Sequence, residues 1–191
     1  MIWKKPILEE RAPDYMVMIG GDASGNIFSD GEHLIITTRT IPRKIIIYNL
    51  TDIFGIAEPY IIPEEEAEKP PREEKPPERE GKPPPMELPN IPCVTLSMIK
   101  EGEPMGAPQD VYSDGKHLFT VDLERNLILI WNEFPNKNDT LPDIMIGSWK
   151  PMNTRNGLFW PRYIWFDGHY LWVGEIKFSS RVLRFSPSAE D

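Results

Sequence analysis

Apolar and polar positions along this chain form short bursts, and the bursts recur in the same order three times. The copies are "IFSDGEHLIITTRTIPRKIIIYN" from Ile27, "VYSDGKHLFTVDLERNLILIWN" from Val111 and "IWFDGHYLWVGEIKFSSRVLRFS" from Ile164. Each reads as short strands separated by turn residues. The copies align on Asp30-Gly31, Asp114-Gly115 and Asp167-Gly168. Three residues after each Gly stands Leu34, Leu118 or Leu171, and an aromatic closes each later branched apolar run: Tyr48, Trp131 or Phe185. The strand before each Asp-Gly also carries an aromatic, Phe28, Tyr112 or Trp165. This agreement in order, spacing and residue type marks an internal repeat.

The pattern predicts four strands per copy. The first is "GNIFS", "QDVYS" or "RYIWF". Asp-Gly predicts a two-residue hairpin in which both residues take positive φ. The second strand is "LIITT", "LFTVD" or "LWVGE", and a polar turn leads to the third, "KIIIYN", "LILIWN" or "RVLRFS". A fourth strand precedes the next copy: "PDYMVMIG" from Pro13, "PCVTLSMI" from Pro92 and "PDIMIGSW" from Pro142. Proline suits a strand's first residue, where a missing N–H costs least.

The second and third Asp-Gly pairs stand 53 residues apart and the first two 84, and one insertion, from Pro63 to Asn90, accounts for the difference. It is rich in Pro, Glu and Lys and nearly free of apolar residues, so it is expected to be disordered. The predicted organisation is therefore residues 1–62, the end of a preceding unit plus the first copy; residues 63–90, the insertion; and residues 91–191, the remaining copies. The predicted fold class is all-β, with about three four-stranded antiparallel repeats. Four strands repeating every 40–55 residues point to β-propeller blades rather than a sandwich.

The stretch "SDGKHLFTVDLERNLILIWNEFPNKNDTLPDIMIG" resembles the blades of NHL-type β-propellers, in a variant with a recurring Asp-Gly, Leu-x-Val-x-Asp and Ile-Leu-Ile-Trp-Asn pattern. The first copy departs from it with "TTRTIPRK" between the second and third strands, and the third is intermediate. The resemblance covers the chain apart from the insertion. It implies blades of a ring that usually has six, so the chain reads as half or a fragment of one. The opening "MIWKKPILEERAPDYMVMIG" follows the register of "LIWNEFPNKNDTLPDIMIG", ending one third strand and entering a fourth. The last copy, "RVLRFSPSAED", lacks its own fourth strand. Three blades are too few to close a ring. Two arrangements follow: a fragment of a longer propeller, or two chains paired head to tail, each lending its spare strand.

Composition narrows the function classes. The formal net charge is −9, which disfavours nucleic acid and anionic membrane surfaces as partners. The lone cysteine, Cys93, permits no intramolecular disulfide and reads as a small buried hydrophobe. No apolar run approaches a membrane span and no signal peptide is evident, so a cytoplasmic location is expected. Abundant Ile, Glu and Lys beside a single glutamine, Gln109, fit a protein adapted to heat.

In a propeller, ligands sit at the axial entrance, between the ends of the blades. The turns between second and third strands offer Arg39, Asp122, Glu124, Arg125 and Glu175; the loops before first strands offer Asp22, Glu103, Asn153 and Arg155. Asp122 and Glu175 align, four residues after Leu118 and Leu171, and two carboxylates at equivalent strand ends could converge on a divalent cation. They could equally accept backbone N–H bonds in their own turns. Thr38 holds that position in the first copy. His33, His117 and His169 all fall beside the Asp-Gly turns, on separate units, which suits hairpin packing rather than one metal. Phe159 and Trp160, in a loop, are candidates for contact with a ligand or partner.

No Ser-His-Asp order, phosphate-binding glycine loop or Cys/His metal cluster appears. No catalytic residue or protein metal ligand is therefore assigned, and no cofactor is expected beyond a possible divalent cation. The leading expectation is a non-catalytic scaffold whose assembled face binds a protein or other ligand, with Asp122, Glu175, Arg39, Arg155 and Trp160 as axial ligand-binding candidates, and with a protein or a second copy of the chain as partner. The alternative implied by the resemblance is a metal-dependent hydrolase of the six-bladed lactonase kind, with Asp122 and Glu175 around a Ca²⁺-like ion.

Overall fold

The computed structural model describes residues 25–56, 93–155, 157–177 and 179–187 together with two short strands, Val17–Met18 and Met86–Glu87; for those strands and for residues 54–56 it describes the backbone alone. In chain order the first elements are β1 (Val17–Met18), β2 (Ile27–Ser29), β3 (His33–Thr37), β4 (Ile45–Asn49), the helix α1 (Leu50–Ile56) and β5 (Met86–Glu87). Then come β6 (Val94–Leu96), β7 (Met98–Lys100), β8 (Glu103–Pro104), β9 (Pro108–Ser113), β10 (Leu118–Asp122) and β11 (Leu127–Trp131). The last are β12 (Ile144–Gly147), β13 (Pro161–Phe166), β14 (Leu171–Glu175) and β15 (Val182–Phe185). The molecule is mainly β.

Three antiparallel sheets carry the three repeats. The first runs β2-β3-β4-β6, the second β9-β10-β11-β12 and the third β13-β14-β15. Equivalent residues pair in the same register: Leu34 lies opposite Tyr48, Leu118 opposite Trp131, and Leu171 opposite Phe185. The expected first, second and third strands all form, within a residue or two at their ends. The fourth strand from Pro92 is shorter than expected. It breaks at Ser97, whose N–H and hydroxyl both bond the Asp139 carboxylate, and the chain then turns into the β7–β8 hairpin. Of the insertion over residues 63–90, only Met86–Glu87 is described, paired parallel with Val17–Met18. The remainder of that insertion, and the expectation of disorder, lie outside the described residues.

The Asp-Gly turns differ from the expected hairpin. Gly31, Gly115 and Gly168 have φ of 99°, 88° and 96°, while no Asp of these turns has positive φ. Four residues, not two, separate the last paired positions, as between Ser29 and Leu34. The reason is the Asp side chain. Asp30 Oδ1 accepts the N–H groups of Glu32 and His33 at 3.0 and 2.8 Å, a local cap that a backbone-only turn lacks. Asp114 and Asp167 do the same for their own loops.

The sheets stack face to face, and their first strands approach most closely. β9 lies beside β2 and β3 on one side and beside β13 on the other, and the outer strands make no comparable approach. The sheets therefore fan outward from their first strands. Between the first and second sheets, Ile35, Ile45, Ile47, Val94 and Leu96 pack on Val111, Leu118, Leu127, Leu129 and Trp131. Between the second and third, Phe119, Val121, Ile128 and Ile130 pack on Ile164, Leu171 and Val173. Each fully buried Leu, Ile or Val side chain contributes about 1.5–3 kcal/mol. Both faces of the second sheet are thus covered, which explains the unbroken apolar run "LILIW". The outer face of the first sheet, Leu34, Ile36, Ile46 and Tyr48, is covered by Ile53 of α1, an element that the repeat pattern did not predict.

Candidate ligand-binding site

The end of the fan opposite the Asp-Gly turns holds the candidate residues. Asp122 ends β10 with no exposed surface. Its carboxylate accepts the N–H groups of Gly106 at 2.6 Å, Ala107 at 2.8 Å and Arg125 at 3.2 Å. Burial raises its pKa above the ordinary carboxylate value, against the lowering effect of these bonds and of the Arg125 charge. Glu175 ends β14 in the equivalent place. It accepts the Phe159 N–H at 2.7 Å and the Arg181 Nε–H at 2.7 Å. Arg181 also holds the carbonyls of Thr154 and Gly157. In the first sheet Thr38 accepts the Lys44 N–H, and Thr37 accepts that of Asn26. Each acidic end residue therefore ties the loop before its own first strand to its second strand.

Asp122 and Glu175 serve separate loops on separate sheets. Among the described residues, no group of three or more His, Cys, Asp or Glu side chains is placed to hold a metal ion. The histidines stay with their own turns. His33 and His117 face Asp30 and Asp114 through Nδ1 at 3.2 and 2.8 Å, His33 stacks on Phe134, and His169 packs edge-on against Tyr170. Burial pushes the carboxyl pKa of Asp30 and Asp114 up, but their hydrogen bonds outweigh it and both end lowered. For Asp167 the Trp172 Nε1–H bond, followed by the Tyr170 and His169 N–H groups, lowers the pKa to about 2.

Cys93 departs from the expected buried position. It is exposed just before β6, although its sulfur turns toward the protein and donates to the Ile47 carbonyl at 3.0 Å. Desolvation of the sulfur pushes its pKa up.

Trp160 is half-buried at φ 52°, its N–H on Asn126 Oδ1 at 2.9 Å and its ring beneath Lys177 Nζ at 4.1 Å. It joins the second sheet to the third. Arg155 is exposed in the loop before β13, as is Asn153. Glu103 pairs with Arg125 at 3.2 Å, and the Arg125 guanidinium lies 4.0 Å above the Trp149 ring. Asp22 lies outside the described residues.

Arg39 has a different setting. It lines a pocket of about 280 Å³ with Thr38, Arg43, Ala107, Gln109, Leu123, Glu124 and Arg162. Thr38, Arg39 and Arg43 come from the β3–β4 turn. Gln109 and Arg162 stand near the starts of β9 and β13, and Leu123 and Glu124 lie in the β10–β11 turn. All three sheets thus contribute. Arg43 crosses from the first sheet to the second, donating to the Gly106 carbonyl at 2.6 Å and pairing with Glu124. Sequence reasoning found Arg39 and Glu124 but missed Arg43, Gln109 and Arg162. Arg43 was legible as the basic "PRK" of the turn that departs from the repeat.

Asp110 was also missed. It is buried on β9 and joins the first strands of all three sheets. Oδ1 takes the Asn26 side-chain amide and the Val111 N–H, and Oδ2 accepts the Ile164 N–H at 2.9 Å. Its signal was an ionisable residue inside an otherwise uncharged strand, "PQDVYS".

Compared with family models and with curated proteins, the chain matches none.

Proposed function

We propose that the three sheets are successive blades of an NHL-like β-propeller and that the chain is a non-catalytic binding scaffold. The observation that carries this reading is the convergence of the first strands. Asp110 links all three, and the pocket at one end draws its walls from all three sheets. Convergent first strands with diverging outer strands are what a radial array of blades requires, and its axial end is where a ligand site forms.

Against a hydrolase reading stand Asp122 and Glu175. Both carboxylates are consumed by backbone N–H groups and, for Glu175, by Arg181. A carboxylate that gave these up to a cation would release the loop it holds. The partner in this reading is a protein or a second copy of the chain. The third sheet leaves Tyr163, Trp165 and Val182 56%, 58% and 69% exposed, and β15 pairs on one side only among the described residues. A head-to-tail copy would set this face against the first sheet's outer face, where α1 sits, and would have to engage or displace that helix.

The test is melting of the purified chain with and without millimolar Ca²⁺ or Mg²⁺, beside an ester-hydrolysis assay and a light-scattering mass. Unchanged melting, no turnover, and a dimer or captured protein partner support the scaffold. Cation stabilisation that disappears in Asp122→Asn, together with turnover, would replace it with the hydrolase.

A further inference from the structure

The pocket shared by the three sheets is basic in a chain whose formal net charge is −9. Arg39, Arg43 and Arg162 face it, against one acidic wall residue, Glu124. Glu124 is already engaged by Arg43. Among the described residues, neither the Arg39 nor the Arg162 guanidinium has a carboxylate within ion-pairing distance. Arg162 approaches only its neighbour's ring, at 5.8 Å from Tyr163. Two like-charged guanidinium groups from different sheets line one concavity, and among the described residues neither side chain has a carboxylate partner to offset their repulsion.

We infer that this pocket binds the oxyanion group, carboxylate or phosphate, of a small ligand. Arg39 and Arg162 clamp it from opposite sheets, and Gln109 supplies an amide donor. This assignment rests on the scaffold reading and gives its ligand a chemical class. Guanidinium groups suit the role because their fork of N–H donors matches two oxygens of a carboxylate or phosphate at once. Arg43 is fixed by the Gly106 carbonyl and Glu124, so it shapes the wall and keeps the two turns together. The volume of about 280 Å³ suits a small metabolite or the charged end of a larger one. The net charge of −9 repels anions at long range, so attraction acts within the pocket and weakens with added salt.

The experiment is calorimetric titration of the full chain with sodium phosphate and, separately, sodium succinate at low ionic strength. Melting curves accompany it for wild type, Arg39→Gln, Arg162→Gln and the control Arg184→Gln, whose side chain lies over the Tyr170 ring and away from the pocket. The expected result is saturable binding of one of the two anions. Loss should be about tenfold or more in each pocket variant, the size of one charge-assisted hydrogen bond, with no loss in the control. Tighter phosphate binding would assign a phosphorylated ligand, and tighter succinate binding a carboxylic acid.

A second readout is a crossing of stabilities. Without anion, Arg162→Gln melts at or above wild type because a repulsion is removed; with saturating anion it melts below. Absence of binding by either anion, or equal binding in the pocket variants and wild type, overturns the assignment. In that case the metal and turnover assays still judge the scaffold reading independently.

Discussion

The second and third sheets are built on the same repeat yet live in different surroundings. In the second, every residue of β10 and β11 is buried, because the first sheet covers one face and the third covers the other. In the third, only Pro161, Ile164, Leu171, Val173 and Glu175 are buried, while Tyr163, Trp165 and Val182 stand open. The residues have adapted. Val121 of the second sheet aligns with Gly174 of the third, where the Tyr163 ring fills the space a side chain would take. Ile130 aligns with Arg184, which lies over Tyr170 and Trp172. The repeat sets the strands and their register; the neighbours decide what each position contributes.

The largest expected contrast is between the aligned aromatics that close the third strands. Trp131 is 1% exposed and its Nε1–H bonds the Thr140 carbonyl at 2.8 Å, whereas Phe185 is half-buried. Trp131→Ala should cost about 3–5 kcal/mol in urea unfolding, and Phe185→Ala about 1–2 kcal/mol. Equal losses would break the comparison and show that the third sheet is covered in solution.

Next come the acidic strand ends. Asp122→Ala strands the Gly106 and Ala107 amides and should cost about 2–3 kcal/mol. Gly106→Ala should act in the same direction, since an added Cβ would stand 2.7 Å from Asp122 Oδ1. A mild effect of both would mean that this loop is not held by the carboxylate.

The carboxylates of the two ends should titrate with opposite sign. The Asp167 pKa falls from 3.8 to about 2, so its contribution is full above 3.8 and is lost as pH falls toward 2. Asp167→Asn should flatten acid melting in that window. The Asp122 pKa is raised, so its contribution is full below 3.8 and is lost as pH rises through the folded value. The gap between wild type and Asp122→Asn should therefore narrow as pH rises. Parallel curves for both variants would remove the distinction.

The smallest effect belongs to the open face. Val182→Thr, at a 69% exposed position, should change stability by no more than about 0.5 kcal/mol. A larger loss that grows with protein concentration would locate the contact with a second copy there.

The first three strands of each repeat were legible because alternation and branched residues specify them locally: "LIITT", "LFTVD" and "LWVGE" each became the second strand of its sheet. The Asp-Gly loops were legible as turns but not in geometry, since the Asp carboxylate caps two amides across a four-residue connection in which only the Gly takes positive φ. The candidate site was legible only in part. Asp122, Glu175 and Arg39 occupy the strand-end positions that the alignment picks out, but alignment treats equivalent residues as equivalent in role. Asp122 and Glu175 turned inward to their own loops, while Arg39 met Arg162 of another sheet across a pocket.

The sequence by itself determined the first three strands of each repeat and their order within each sheet, because neighbours in a hairpin are neighbours along the chain. Tertiary structure alone decided which face of each sheet is buried, that α1 covers the first sheet, and that Asp110 joins three strands. It also gathered the arginines at one end. These facts depend on contacts between residues tens of positions apart, Asn26 with Asp110 and Asp110 with Ile164, which no local pattern encodes.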